Sequence, residues 1–115
     1  MKKTSMELGG NAPFIVFEDA DMDAAIQGAL ISKYRNAGQT CVCSNRLFVQ
    51  DSIYDAFVAK LVAATAAMTV GDGAQAGIDI GPLVNTSAVN DVDELVSASV
   101  QSGAKVALGG GAHEL

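Results

Sequence analysis

An unbroken apolar run of strand length, Phe14-Ile15-Val16-Phe17, limits the possible folds more than any other feature of the sequence. A strand with one wet face alternates apolar and polar residues, whereas a continuous aromatic and β-branched run is typical of a strand covered on both faces. From Met22 to Tyr34 the apolar residues recur with helical spacing, and Asn36 and Gly38 supply a stop signal. A strand followed directly by a helix indicates a β-α unit.

The same alternation continues after this first unit. Residues 46–50 are predicted to form a second strand, and Asp51 to open a second helix, with Ser52 and Asp55 spaced like a capping box. This second strand and helix repeat the order of the first pair, which favours a layered arrangement of helices on a sheet.

The last part of the chain adds one more helix and strand to the prediction. A glycine-rich stretch at 70–84 is expected to be a loop, and a third helix to run from a cap at Asn85 or Thr86 to Gly103. A third strand is predicted at 105–108. The whole order predicts an α/β fold with a mostly parallel sheet and flanking helices.

Charge and composition exclude several classes of partner. The net charge of −6 argues against nucleic acid, which needs clustered Lys and Arg. No apolar run approaches the ~18 residues of a membrane-spanning helix. Residues 1–7 begin with basic side chains but lack the apolar segment of a signal peptide. Two cysteines in such a chain indicate a reducing compartment, so a cytoplasmic location is expected, with no nucleic-acid or membrane partner.

Both cysteines lie in one polar stretch, Gly38-Gln39-Thr40-Cys41-Val42-Cys43-Ser44-Asn45-Arg46. Structural zinc usually needs four ligands and the only histidine is His113, so no metal site is expected. A disulfide between Cys41 and Cys43 would close a very short ring of poor geometry. Two interpretations stay open for these thiols. Free cysteine is among the most buried residue types, but polar loops carry catalytic residues disproportionately.

A second motif, Glu7-Leu8-Gly9-Gly10, lies 34 residues before Cys41 (41 − 7). Alone it is a weak signal, because glycine pairs permit close backbone approach in many settings. Combined with the Gly-Gln-Thr-Cys of residues 38–41, it resembles the two active-site signatures of the aldehyde dehydrogenase superfamily, and the separation matches as well. Residues 11–17 and 35–46 look most like succinate-semialdehyde dehydrogenases. The resemblance implies that the fold is part of the aldehyde dehydrogenase catalytic domain.

The resemblance also implies a mechanism. Cys41 would add to the aldehyde carbon as nucleophile, the adduct would pass hydride to the nicotinamide of NAD or NADP, and a thioester would remain on Cys41. Glu7 would be the general base that activates the water which releases the acid. The sulfur of Cys41 and the carboxyl of Glu7 are therefore expected to face one reacting carbon from opposite sides.

Further residues gain roles from the same comparison. Arg35, six residues before the nucleophile, would pair with the distal carboxylate of the substrate, a task suited to a planar guanidinium. Cys43 would be either a redox partner, whose oxidation with Cys41 blocks the nucleophile, or a small neighbour of the site. The cofactor-binding residues implied are Leu8, Gly9 and Gly10.

Family members are several times longer than this chain, so the resemblance implies a fragment. Residues 1–10 would be the tail end of the cofactor-binding domain and residues 11–115 a partial catalytic domain. The parent enzyme would be an NAD(P)-dependent dehydrogenase, expected to be a homo-oligomer that oxidises an aldehyde such as succinate semialdehyde. The alternative is a truncated, non-catalytic remnant or a reactive-thiol module without dehydrogenase turnover.

Overall fold

The computed structural model describes residues 1–113. The described chain divides into two compact units, Met1–Ala59 and a second that begins at Lys60. The regular elements in chain order are strand β1 (Pro13–Val16), helix α1 (Met22–Tyr34), a 3-10 turn (Arg35–Gly38), strand β2 (Arg46–Val49), a second 3-10 turn (Asp51–Ile53), helix α2 (Tyr54–Ala66) and helix α3 (Thr86–Gln101).

Strands β1 and β2 pair in parallel, with Pro13 opposite Arg46 and Val16 opposite Val49. Parallel neighbours need a long crossover connection, and α1 supplies it. Beyond the paired residues, the Gln50 amide donates to the carbonyl of Val16 (2.9 Å) and extends the ladder by one bond. The α/β fold with a parallel sheet is therefore confirmed.

One face of the sheet is packed. Val16 is only 2% exposed, and Phe14, on the same face, lies against α1, where a Cβ on Gly28 would stand 3.5 Å from its ring. The intervening Ile15 and the following Phe17 are 58% and 62% exposed. Successive side chains of a strand point to opposite faces. Within residues 1–113, the expected covering of β1 on both faces is therefore met on one face only.

The predicted helix ends match their capping residues. The Asp21 side chain accepts from the amide of Ala24 (2.9 Å) at the start of α1, which ends at Tyr34. Asn85 caps α3 in the same way, and Gly103, with φ +100°, follows its last turn. Both N-caps satisfy an amide that the helix itself leaves unpaired.

The start of α2 differs in detail from the prediction. The chain enters this helix through the 3-10 turn Asp51–Ile53, so α2 proper begins at Tyr54. The Ser52 hydroxyl donates to the Glu18 carboxylate (2.7 Å), a contact between residues distant in sequence. Glu18 in turn donates its amide to the side-chain oxygen of Gln50 (3.0 Å). These contacts tie the ends of β1 and β2 together before α2 begins.

The predicted third strand at 105–108 is wrong. The structure has no regular element there, and Val106 and Leu108 are exposed. A strand is stable only when its backbone groups pair with a neighbour, and no described residue provides that pairing. The predicted loop at 70–84 is irregular as expected, apart from an isolated bridge between Val70 and Ile80. No helix within residues 1–113 has the length and apolar character needed to cross a membrane.

Candidate active site

The parallel register brings the two sequence motifs to the same edge of the sheet. Glu7 lies six residues before Pro13, where β1 starts, and Cys41 lies five residues before Arg46, where β2 starts. Because Pro13 and Arg46 pair directly, the two preceding segments leave the sheet side by side. A separation of 34 residues thus becomes a spatial contact.

Gly9 is the point of closest approach between these segments. A Cβ built on Gly9 would lie 2.8 Å from Oε1 of Glu7 and 2.9 Å from both Cβ and the carbonyl oxygen of Cys41. No side chain fits in that space. The Gly9 amide also donates to Oε1 of Glu7 (3.0 Å), which turns the carboxylate toward the cysteine.

The Cys41 thiol is exposed and interacts with Glu7. A side-chain hydrogen bond to the Glu7 carboxylate, and then the negative charge of that carboxylate, raise the pKa of the Cys41 thiol. The Cys41 thiol is therefore less readily ionised than an isolated thiol, because Glu7 lies beside it. The family resemblance predicts that the two groups face a reacting carbon from opposite sides, and this stays a prediction. The structure places both groups against Gly9, at the same edge of the sheet.

The turn that carries Cys41 starts in an uncommon backbone conformation. Asn36 and Ala37 have φ of +52° and +55°, and Gly38 has φ of +78°. Asn36 and Gln39 stabilise this stretch, because the Gln39 amide donates to the Asn36 carbonyl (3.1 Å) and the Asn36 side chain donates to the Gln39 carbonyl (3.2 Å). Non-glycine residues at positive φ are strained and cluster at functional sites.

Cys43 has a different environment from Cys41. It is 1% exposed, and its sulfur shares a hydrogen bond with the Thr40 hydroxyl (2.9 Å) and lies 3.8 Å from the Arg35 carbonyl oxygen. Both thiols are free. The interpretation as a buried, inert thiol therefore fits the position of Cys43, and the interpretation as a solvent-accessible thiol fits Cys41.

The remaining predicted site residues are exposed in the structure. The Arg35 side chain is exposed where α1 ends, and its carbonyl is the group that Cys43 approaches. Leu8 is highly exposed, and Gly10 has φ +138° with open space where a Cβ would be. Within residues 1–113, no three His, Cys, Asp or Glu side chains form a cluster that could hold a metal ion.

The sequence motifs did not reveal a set of contacts centred on Asn11. The Asn45 side chain donates to Oδ1 of Asn11 (2.6 Å), and Arg46 donates to the Asn11 carbonyl through Nη2 (2.6 Å) and Nε (3.2 Å). Asn11 has φ +48°, a conformation for which asparagine is enriched. Its place after two glycines was the one available sequence signal of this backbone conformation. The contacts themselves could not be predicted, because no local pattern pairs residues 34 positions apart.

Comparison with known proteins identifies relatives along the whole chain. The model of the aldehyde dehydrogenase family matches residues 1–115. A glutarate-semialdehyde dehydrogenase of Pseudomonas aeruginosa is 62% identical over 115 residues, and an NADP(+) succinate-semialdehyde dehydrogenase of Escherichia coli is 57% identical over 114 residues. These alignments cover 100% and 99% of this chain and 24% of each relative. The chain thus spans about a quarter of the length of the curated relatives it matches.

Solved structures agree with the sequence comparison. The crystal structure of succinate-semialdehyde dehydrogenase from Burkholderia pseudomallei superposes with a TM-score of 0.92 at 53% identity, covering 96% of this chain and 23% of that chain. A lactaldehyde dehydrogenase from Escherichia coli superposes with a TM-score of 0.90 at 45% identity, covering 94% of this chain and 23% of that chain.

Proposed function

We propose that this chain, which belongs to the aldehyde dehydrogenase family, carries the nucleophile and the general base of an NAD(P)-dependent enzyme that oxidises an aldehyde to its acid. The observation that carries the proposal is the approach of Glu7 to Cys41: Oε1 of Glu7 and Cβ of Cys41 lie 2.8 Å and 2.9 Å from one point, the position that a Cβ on Gly9 would take, and the Cys41 thiol is exposed. An accessible sulfur with a carboxylate nearby is an arrangement that suits nucleophilic catalysis.

Acylation starts at Cys41. Its thiol gives up a proton to solvent, the sulfur attacks the aldehyde carbon, and the carbonyl electron pair moves to the oxygen. The resulting tetrahedral oxyanion needs hydrogen-bond donors, and the backbone amide of Cys41 is the donor of this chain that we assign to it. The adduct then collapses to a thioester on Cys41.

The collapse requires an acceptor for a hydride, and NAD or NADP supplies that chemistry when bound. The residues of this chain that would hold the nicotinamide are Leu8, Gly9 and Gly10. The open surface at Leu8 and Gly10 supports this assignment, whereas the contact of Gly9 with Cys41 gives that glycine a second reason to lack a side chain.

Deacylation uses the carboxylate of Glu7 as the general base. Glu7 accepts a proton from a water molecule whose oxygen attacks the thioester carbon, and the sulfur of Cys41 leaves as the acid forms. The Gly9 amide holds one oxygen of the carboxylate and leaves the other free to act as the base.

For the substrate we propose a short aldehyde with a distal carboxylate, with succinate semialdehyde as the first candidate. The exposed Arg35 guanidinium at the end of α1 supports this, since a planar guanidinium binds a carboxylate in a bidentate manner. The names of the two curated relatives described above, a glutarate-semialdehyde and a succinate-semialdehyde dehydrogenase, support the same class of substrate. A cytoplasmic, homo-oligomeric parent enzyme completes the proposal.

A second candidate function is a reactive-thiol module without turnover. The observation that favours it is that the chain spans about a quarter of its relatives, while Cys41 is exposed in this piece by itself. Such a module would react once with an electrophile or oxidant and would not reduce a cofactor.

A chimera separates the two candidates. The Escherichia coli relative with its matching segment exchanged for residues 1–115 supplies the missing three-quarters of an enzyme. We expect this chimera to reduce the cofactor with succinate semialdehyde, Cys41→Ala to abolish the reaction, and the thiol-matched control Cys43→Ser to retain it. A chimera that folds by circular dichroism but remains inactive would favour the reactive-thiol module. The chain alone is expected to give no steady turnover.

A further inference from the structure

We infer that Asn11 is a positioning residue that fastens the segment carrying Glu7 against the turn carrying Cys41. The inference deepens the proposed function, on which the roles of Glu7 and Cys41 rest. It concerns how the base is held near the nucleophile, since Asn11 contacts neither group's reacting atoms in the geometry described above.

The first support is that residues 1–10 belong to no helix or strand and are exposed throughout. Regular structure starts only at Pro13. The hydrogen bonds that join this segment to the start of β2 converge on Asn11. Asn11 is four residues after Glu7, so it is the first firm anchor on the sheet side of the base.

The second support is that the donors and acceptors around Asn11 select a single arrangement. Lys33 can only donate, and its Nζ lies 2.7 Å from Oδ1 of Asn45. The Asn45 amide group is therefore turned to donate toward Asn11, which must present its own side-chain oxygen, as observed at 2.6 Å. A chain of polar groups that runs from α1 through β2 to Asn11 thus has one consistent orientation.

The third support is the backbone of Asn11. Its φ of +48° follows Gly10 at +138°, and its carbonyl accepts from the Arg46 guanidinium. Two guanidinium nitrogens on one oxygen fix that carbonyl more firmly than a single donor would. The backbone conformation, the amide contact and the guanidinium contact all set the direction in which the segment toward Glu7 leaves the sheet.

The test measures the Cys41 thiol itself and needs no turnover. The rate of iodoacetamide alkylation at Cys41 is followed against pH in the 115-residue chain by mass spectrometry of the Cys41 peptide. If Asn11 holds Glu7 on the thiol, Asn11→Ala removes the group that raises the pKa, and alkylation near neutral pH becomes about threefold faster or more. Asn11→Asp keeps an acceptor oxygen and tolerates positive φ, so it should react like the parent chain.

The decisive comparison is made in a Glu7→Gln background. If Asn11 acts through Glu7, then Asn11→Ala adds nothing to the rate already seen with Glu7→Gln. A general loosening of the turn would accelerate alkylation equally in both backgrounds and would overturn the inference, as would an unchanged profile for Asn11→Ala. Asn90→Ala, a change of an exposed asparagine on α3, is the matched control and should leave the profile unchanged.

Two further features keep the result unambiguous. Should Asn11→Ala fail to fold by circular dichroism, Asn11→Gly keeps the positive φ while it removes the side chain, and the same comparison with Glu7→Gln decides. An inactive chimera would refute the proposed function but leave these alkylation rates untouched, so the two failures are distinguishable.

Discussion

Substitution of Gly9 by alanine tests the close approach of Glu7 to Cys41 directly. The new methyl group would start 2.9 Å from Cβ and from the carbonyl oxygen of Cys41 and 2.8 Å from Oε1 of Glu7. Carbon atoms reach their best contact at about 3.5–4.0 Å, so the segment has to move away from Cys41 by roughly 0.6 Å or more. Backbone strain plays no part, since Gly9 is not among the glycines at positive φ.

We expect the segment that contains Gly9 to shift away from Cys41 rather than to be compressed against it. Forcing a methyl group into a rigid, packed core costs about 1–3 kcal/mol, but residues 1–10 are exposed and outside any regular element, so they can shift instead. A shift of this size lengthens a hydrogen bond beyond useful range. We therefore expect Gly9→Ala to separate Glu7 from the Cys41 thiol with little change in the thermal unfolding midpoint of the chain.

The assay is again the alkylation rate of Cys41 against pH. Loss of the Glu7 contact lowers the raised pKa of the thiol, so more thiolate is present at neutral pH and Gly9→Ala should react faster than the parent chain. Gly73→Ala is the matched control, because a Cβ on Gly73 meets nothing within 4 Å and its φ is not positive. A Gly9→Ala chain whose profile equals that of the parent would refute the argument that this glycine is required for the contact.

Three further predictions concern the turn, the base and the substrate. Ala37→Gly should raise the free energy of unfolding by roughly 0.5–1 kcal/mol, because alanine is strained at φ +55°. Urea unfolding measures this change, and an unchanged midpoint would contradict that strain. In the chimera, Glu7→Gln should keep a single-turnover burst of reduced cofactor while steady turnover falls by about a hundredfold or more, and loss of the burst would argue against a deacylation base. Arg35→Ala should raise KM for succinate semialdehyde about tenfold or more but hardly change KM for butanal, and equal changes would exclude a carboxylate contact.

The fold was predictable where local signals and the hydrophobic pattern agree. The helix bounds at Met22 and Tyr34 follow from a capping aspartate and a stop signal that both act within a few residues. The strand predicted at 105–108 was wrong because an apolar run indicates only that a segment prefers a pleated, covered surface. Whether such a segment forms a strand depends on a pairing neighbour elsewhere in the chain. Within residues 1–113 that neighbour is missing.

The candidate site was predictable in part. The approach of Glu7 to Cys41 was expected from the family resemblance, and the parallel register gives its physical reason. Local patterns alone could not predict which of the two thiols is buried, because residues two positions apart in an irregular turn follow no period that separates inside from outside. The family resemblance distinguished them by assigning the nucleophile to Cys41. Asn11 was missed because its partners are 34 and 35 positions away, and its role depends on the register of two strands.

The closeness of Glu7 to Cys41 also bears on the proposed chemistry. Glu7 raises the pKa of the Cys41 thiol, which protects an exposed cysteine from stray electrophiles because the thiolate is the reactive form. The Gly9 amide donates to Oε1 and holds the carboxylate beside this cysteine. The contacts of Asn11 with Asn45 and Arg46 involve neither the Glu7 side chain nor the Cys41 side chain. Under the proposed function the backbone can therefore stay fixed at Asn11 while the side chain of Glu7 moves to admit a substrate carbon.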